Sequence, residues 1–123
     1  MVPASAATLS KKGIQILVEE DAGVNAKFSN ADFEAAGAKV VARQDIFGNS
    51  DVIFKVRAPI LETEVDLLKE RTSLISLLFP AQNKALVDAL ARKQLDVFAV
   101  DCIPRISRAQ TYDVLSSMAN IAG

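Results

Sequence analysis

The sequence predicts a three-layer α/β/α domain built on a mostly parallel β-sheet, and three observations support this fold class. Segments with helical spacing of apolar residues alternate along the chain with short β-rich runs, the order expected of parallel α/β proteins. The run Val52-Ile-Phe54 is continuously apolar, as expected of a strand that is buried on both faces. Half of the 123 residues are hydrophobic, which is enough for one packed core in a single domain over residues 1–123.

The helices are predicted from residues that suit helix ends, from apolar stripes, or from both. The predicted helices cover residues 3–12, 29–36, 63–70, 83–93 and 107–121. Residues that favour helix termini are, in chain order, Pro3, Gly13, Ser29 or Asn30, Gly37 and Asn83. In the last helix, Ser107 and Gln110 have the spacing of a capping box. Its apolar stripe is formed by Leu115, Met118, Ala119 and Ala122.

The strands are predicted from β-rich runs that are bounded by turn residues. They cover residues 14–19, 38–42, 51–56, 73–79 and 96–100. Gly48-Asn-Ser50 is a predicted turn, and Pro59, Pro80 and Pro104 are expected to end the last three strands. Because a parallel α/β domain usually opens with a strand, whereas this chain opens with a predicted helix, we expect the first strand of the sheet to be missing.

Composition excludes several classes of function. With 14 basic and 15 acidic residues the net charge is −1, so the chain lacks the basic face that binds nucleic acid or an anionic membrane surface. It has no histidine, and Cys102 is its one cysteine. We therefore expect no metal site, no internal disulfide and no Ser-His-Asp triad. The longest apolar stretch is too short to span a bilayer, so a soluble chain is expected.

Polar clusters follow three of the predicted strands, at the end where open parallel sheets bind ligands. No two of the five glycines lie two residues apart, so the chain lacks the glycine-rich loop that cradles a dinucleotide. In Lys55-Val-Arg-Ala-Pro59 the two cations project to one side, which also fits a solvated strand exit. Phe79-Pro-Ala-Gln-Asn83 also fits an ordinary turn and helix cap.

The third cluster follows the last strand and carries the densest set of polar side chains. Gln110, Asp113 and Ser116 or Ser117 lie three or four residues apart, so one helix face carries them, and Arg105 precedes them. An arginine, an amide, a carboxylate and hydroxyls on one rim could hold a carboxamide and a ribose. The same residues also fit an ordinary helix N-terminus, with serines facing water.

At these motifs the chain resembles a known family over essentially its whole length. The matching blocks are Val2-Pro-Ala4, Lys55-Val-Arg-Ala-Pro59, Phe79-Pro-Ala-Gln-Asn83, Pro104-Arg-Ile-Ser-Arg-Ala-Gln110, Asp113 and Leu115-Ser-Ser-Met-Ala-Asn-Ile-Ala-Gly123. In this order and spacing they resemble the NAD(H)-binding component of the proton-translocating NAD(P) transhydrogenase α subunit. The last block is the most specific. The resemblance implies a Rossmann- or flavodoxin-like N-terminal domain.

The resemblance also implies an activity and a set of site residues. The family transfers hydride directly from NADH to NADP bound on another component, and a membrane component couples this step to proton movement. The positions that match the family's nicotinamide-holding residues are Arg105, Gln110, Asp113 and Ser116. Arg105 and Gln110 would orient the carboxamide and ring, and Asp113 and Ser116 would accept or relay hydrogen bonds. Positioning is the protein's task, because the hydride chemistry belongs to the cofactor.

Several partners follow from the same resemblance. They are a second NAD-binding domain, an NADP(H)-binding component, a membrane component and a second copy in a homodimer. The complex would expose this chain on the cytoplasmic side of a bacterial inner membrane or the matrix side of the mitochondrial inner membrane. The family has a strand before Val2 and a glycine-rich second domain after Gly123. The chain is therefore expected to be a truncated N-terminal domain that binds NAD weakly or not at all alone.

Two other functions remain open from the sequence. Alanine dehydrogenase is similar in fold and shares the lysine at Lys55, but that activity is expected to use a histidine in this domain, and the chain has none. A non-catalytic interaction domain could keep the fold without the activity, since a missing first strand would leave a sheet edge open for pairing.

Overall fold

The computed structural model describes residues 1–123, which form two compact units, an N-terminal unit of residues 1–50 and a C-terminal unit of residues 51–123. The strands are β1 (Leu17–Glu19), β2 (Lys39–Val41), β3 (Val52–Phe54), β4 (Ser73–Ser76) and β5 (Asp96–Ala99). The α-helices are α1 (Pro3–Lys11), α2 (Asn30–Ala35), α3 (Arg43–Asn49), α4 (Lys84–Arg92) and α5 (Val114–Ala122). Short 3-10 helices cover Val24–Ala26, Val65–Leu67, Val100–Cys102 and Ser107–Tyr112.

The N-terminal unit pairs β1 and β2 in parallel and has its own apolar core. The buried members of that core are Ala6, Ile16, Val18, Phe33 and Ala38. Helix α2 begins as predicted at Ser29, whose N–H donates to the Asp32 carboxylate at 2.7 Å in a capping box. This bond and the one from the Ser29 hydroxyl lower the pKa of Asp32. Gly37 follows the helix at φ +89°, a conformation that glycine adopts without strain.

Helix α3 was not predicted, and the predicted turn at residues 48–50 is wrong because the helix runs to Asn49. Gly48 lies inside the helix, which ends at Asn49. Phe47 is buried on this helix, and its burial outweighs the weak helix propensity of one glycine. Nε of Arg43 also donates to Oε1 of Glu19 at 2.8 Å, which ties the start of α3 to β1.

The C-terminal unit contains a three-stranded parallel sheet in the order β3-β4-β5. Ile53, Leu74 and Val97 are register partners across the three strands, and the first two are buried. On the neighbouring helix α4, Leu86 and Leu90 are buried, as the predicted stripe requires. The central strand β4 therefore contributes most to the core of this unit.

The prediction that β3 is buried on both faces is wrong. Side chains alternate between the faces of a strand, and Ile53 is buried whereas Val52 and Phe54 are 58% and 60% exposed. Phe54, Ile75 and Phe98 are register partners, so one face of the sheet presents a row of apolar side chains. A continuous apolar run predicted the strand correctly but not which faces are covered.

The predicted helix over residues 63–70 is also wrong, because only Val65–Leu67 forms a 3-10 turn. Val65 and Leu68 are both buried, and one turn is enough to direct two side chains three residues apart to the same side. Nζ of Lys93 donates to the carbonyl oxygens of Asp66 and Leu68 at 2.9 and 3.0 Å, which satisfies the end of this turn.

None of the helices combines the length and the apolar character that crossing a lipid bilayer requires.

Candidate functional site

The segment after β5 does not form the single predicted helix over residues 107–121. It forms the 3-10 helix Ser107–Tyr112, a break at Asp113, and then α5. The Asp113 carboxylate accepts two hydrogen bonds from Ser116, one from its backbone N–H at 3.0 Å and one from its side-chain hydroxyl at 2.6 Å. An aspartate that bonds the backbone three residues ahead favours a helix start over a helix interior. The predicted capping box at Ser107 and Gln110 is replaced by this cap.

This segment borders an open surface cavity of about 190 Å³. It is lined by Arg105, Gln110 and Asp113, together with Pro104, Ile106, Ser107 and Ala109. Three of the four predicted site residues therefore meet at one cavity. Ser116 is joined to it through its hydrogen bonds to Asp113. Ligand pockets for drug-sized molecules span roughly 300–1,000 Å³, so this cavity fits a single ring rather than a dinucleotide.

Asp113 supplies the negative charge at this cavity, beside the positive charge of Arg105. Hydrogen bonds from the Ser116 hydroxyl and N–H lower the pKa of this carboxyl, and the nearby Arg105 cation lowers it further. Asp113 is therefore ionised at neutral pH. Arg105 supplies only donors, whereas the Gln110 amide supplies both donors and an acceptor. The cavity thus offers a cation, an amide and an anion within a few residues of each other.

The cluster after β3 contains an ion pair that no sequence pattern predicted. Nζ of Lys55 lies 3.0 Å from Oε2 of Glu64, which is 3% exposed. The same carboxylate accepts the N–H of Ile60 at 2.8 Å. Lys55 is thus engaged with a buried anion, whereas Arg57 is exposed. Glu64 lies in a segment predicted as an ordinary helix, and no spacing rule distinguished it from the other carboxylates.

The cluster after β4 forms a turn that two side chains hold. The Asp101 carboxylate accepts the N–H groups of Leu78 and Phe79 at 2.6 and 2.9 Å. Nδ2 of Asn83 donates to the carbonyl oxygens of the same two residues at 2.8 and 3.3 Å. Asn83 is the N-cap residue of α4, as predicted, but its side chain bonds this turn rather than the helix. No sequence pattern pointed to this role for Asp101.

A metal-binding cluster is absent, since no group of three or more His, Cys, Asp or Glu residues could hold a metal ion. Cys102 is exposed, but partial desolvation of its thiol and the negative charge of Asp101 raise the pKa of that thiol. A thiol with a raised pKa is a poor nucleophile at neutral pH.

Parallel strands with flanking helices and polar clusters beyond their carboxyl ends define an α/β/α protein of the Rossmann-like class. The model of the family described as alanine dehydrogenase/PNT, N-terminal domain, matches residues 1–122. The chain belongs to this family.

Similar proteins agree with that membership. The chain is 45% identical over 121 residues to the NAD(P) transhydrogenase subunit alpha of Haemophilus influenzae, covering 98% of the chain and 23% of that protein. Among solved structures, a transhydrogenase from Sinorhizobium meliloti matches with a TM-score of 0.91 and 36% identity, over 98% of the chain and 36% of its own. An L-alanine dehydrogenase matches with a TM-score of 0.89 and 28% identity, over 99% and 33%.

These similarities confirm the predicted family and the predicted α/β/α, Rossmann-like fold. The chain spans about a quarter to a third of the length of the relatives it matches.

Proposed function

We propose that residues 1–123 form the N-terminal domain of the NAD(H)-binding component of an NAD(P) transhydrogenase, and that the segment from Arg105 to Ser116 orients the nicotinamide. One observation carries the proposal: Arg105, Gln110 and Asp113 line one cavity of ring size, and Ser116 holds Asp113 in place. The relatives named transhydrogenase subunit alpha support the choice of reaction.

The residues of the cavity fit a carboxamide-bearing ring. A carboxamide has two donors and an acceptor, and the Gln110 amide is complementary to both. Arg105 would donate to the carboxamide oxygen of a bound nicotinamide, and ionised Asp113 would accept from its nitrogen. The nicotinamide itself supplies the hydride chemistry when bound. The chain orients the ring and keeps its reacting face in a defined direction, which is the contribution that proximity makes to rate.

The rest of the assembly belongs to the same proposal. A second NAD-binding domain supplies the glycine-rich loop that this chain lacks. An NADP(H)-binding component receives the hydride, and a membrane component couples the transfer to proton translocation. The assembly contains two copies of the NAD(H) component, on the cytoplasmic face of a bacterial inner membrane or the matrix face of a mitochondrial one.

An alanine dehydrogenase is the second candidate, since the L-alanine dehydrogenase structure is nearly as similar. Two features weigh against it. The chain contains no histidine to serve as a general acid or base. Lys55 is paired with the buried Glu64 carboxylate, which competes with a substrate carboxylate for the same ammonium group.

The test is a titration of NADH, followed by nicotinamide fluorescence, into this chain alone and mixed with a separately expressed second domain. We expect binding only in the mixture, weakened at least about tenfold by Gln110→Asn or Arg105→Ala, because each removes a bond to the carboxamide. Arg108→Ala is the matched control, since Arg108 lies in the same 3-10 helix as Gln110 but outside the cavity lining. Absence of binding in a folded, associated mixture would leave an interaction domain as the function.

A further inference from the structure

The turn after β4 holds a bulky residue in an unfavourable backbone conformation. Phe79 has φ +48°, in the left-handed region. The other non-glycine residues with positive φ are Asp21, Lys27, Arg71 and Gln94. Those are polar, whereas an aromatic residue in this region is an outlier that its surroundings must stabilise. Phe79 is also 45% exposed, so burial of its side chain does not account for the conformation.

Two side chains supply that stabilisation. The Asp101 carboxylate accepts both N–H groups of Leu78 and Phe79, one on each oxygen. Asn83 donates to both carbonyl oxygens. Hydrogen bonds to an ionised acceptor are stronger than those between neutral groups, so Asp101 is the stronger of the two contacts. Burial raises the pKa of Asp101, but the N–H donors of Leu78 and Phe79 outweigh it, and the net pKa is lowered.

Asp101 also lies at the start of the segment that carries the candidate site. Strands β4 and β5 are adjacent, with Ser76 paired to Ala99, and Asp101 follows β5 in the 3-10 turn Val100–Cys102. Pro104 and Arg105, which line the cavity, come three and four residues later. The carboxylate therefore bridges the end of one strand and the beginning of the segment that follows its neighbour.

We propose that Asp101 is a positioning residue of the nicotinamide site: by fastening the Leu78–Phe79 turn to the end of β5, it sets the direction in which the chain enters the segment carrying Arg105 and Gln110. The inference rests on the function proposed above. Asp101 does not line the cavity and acts through the backbone. Its loss is expected to affect the orientation of the bound ring more than the strength of NADH binding.

The test uses the complete transhydrogenase that contains this domain and measures hydride transfer from NADH to an NADP analogue. We expect Asp101→Asn to lower kcat about tenfold or more, since small displacements of positioning groups cost this much, while KM for NADH changes less than about threefold. Asp96→Asn is the matched control, because Asp96 is an exposed aspartate at the other end of β5. It is expected to leave both constants unchanged.

A conservative variant separates positioning from simple loss of fold. Asp101→Glu keeps an ionised carboxylate that can accept the N–H groups of Leu78 and Phe79, so it is expected to retain more of kcat than Asp101→Asn, which loses the charge and one acceptor oxygen. Full kcat in Asp101→Asn, or an equal loss of kcat in Asp101→Glu, overturns the inference. If Asp101→Asn does not accumulate as folded protein, Asp101→Ser, which keeps one acceptor oxygen, takes its place in the comparison.

Gln110→Ala separates this inference from the function on which it rests. If Gln110→Ala lowers kcat whereas Asp101→Asn does not, only the positioning role is rejected. If neither variant alters hydride transfer, the proposed function is rejected as well.

Discussion

The two units of the chain differ in how much of their apolar surface is covered. The N-terminal unit has a contiguous core around Phe33, and its exposed large hydrophobic residues are Met1, Val2, Ile14 and Val24. In the C-terminal unit the exposed large hydrophobic residues include Val52, Phe54, Val56, Phe98, Ile106, Tyr112, Met118 and Ile121. That unit also carries all three polar clusters. Both units therefore have a buried core, but the C-terminal unit also carries most of the exposed large hydrophobic residues and the candidate site.

The largest expected effect contrasts one phenylalanine from each unit. Phe33 is 2% exposed and stacks edge-on against Phe28 with ring centroids 6.4 Å apart. Phe33→Ala should lower the free energy of unfolding by about 3–5 kcal/mol, as cavity-forming core substitutions do. Phe98 is 58% exposed, so Phe98→Ala should change the free energy of unfolding by less than about 1 kcal/mol. Urea unfolding measures both. Similar losses for the two variants would contradict the difference between the units.

A second comparison concerns one ion pair from each unit. Glu64 in the C-terminal unit is buried, whereas Glu19 in the N-terminal unit is partly exposed and pairs with Arg43 at the surface. Glu64→Gln should cost roughly 1–3 kcal/mol, because it removes the charge that Lys55 and the Ile60 N–H contact in a desolvated site. Glu19→Gln should cost at most about 1 kcal/mol. Raising the salt concentration should weaken the effect of Glu19 and leave that of Glu64 nearly unchanged.

The third prediction concerns acid. The folded-state pKa values of Asp32, Asp101 and Asp113 are lowered. A carboxyl with a lowered folded-state pKa contributes stability above its unfolded-state pKa, about 3.9 for aspartate, and loses that contribution as the pH falls through the folded-state value. Asp101→Asn should therefore reduce the fall in unfolding free energy below about pH 4. An unchanged acid limb in this variant would show that the Asp101 hydrogen bonds do not persist in solution.

The smallest expected effect tests helix α3. Gly48 has helical backbone and open space where a Cβ would lie, so Gly48→Ala should stabilise the chain by about 0.5–1 kcal/mol. Gly37 is the matched control, because its φ of +89° makes alanine strained there. Gly37→Ala should destabilise the chain by about 1 kcal/mol. Thermal unfolding resolves both signs. Destabilisation by Gly48→Ala would contradict helical backbone at Gly48 and favour the predicted turn at residues 48–50.

Local chemistry accounts for the parts of the fold that could be predicted. Ser29 begins α2 and Gly37 follows its end because a capping side chain and a left-handed glycine act over three or four residues. The same holds for Pro3 and Gly13 at the ends of α1. The grouping of Arg105, Gln110 and Asp113 followed from the family resemblance, whereas the spacing argument assumed a single helix that the structure does not have.

The failures have two physical causes, which are competition between local helix caps and contacts between residues that are distant in the chain. The predicted last helix is interrupted at Asp113 because its carboxylate accepts a hydrogen bond from the Ser116 hydroxyl and caps a new helix there. By the capping rules, Ser107 was an equally good position for the helix to begin. Burial of Phe47 stabilises α3, whereas the adjacent glycine, Gly48, had indicated a turn. The contacts of Asp101 with Leu78 and Phe79 join residues more than 20 positions apart, and the Lys55–Glu64 pair closes across a turn.

The sequence by itself determined the alternation of helices and strands, the parallel α/β class, the family and the segment of the candidate site, since all of these depend on short-range pattern and residue identity. Only the tertiary structure decided which face of β3 is covered and which carboxylate holds the turn after β4, because these outcomes depend on contacts between segments that are distant in the chain. The start of the last helix is set locally, by Asp113 and Ser116, but the sequence offered two competing caps and the structure selected one of them.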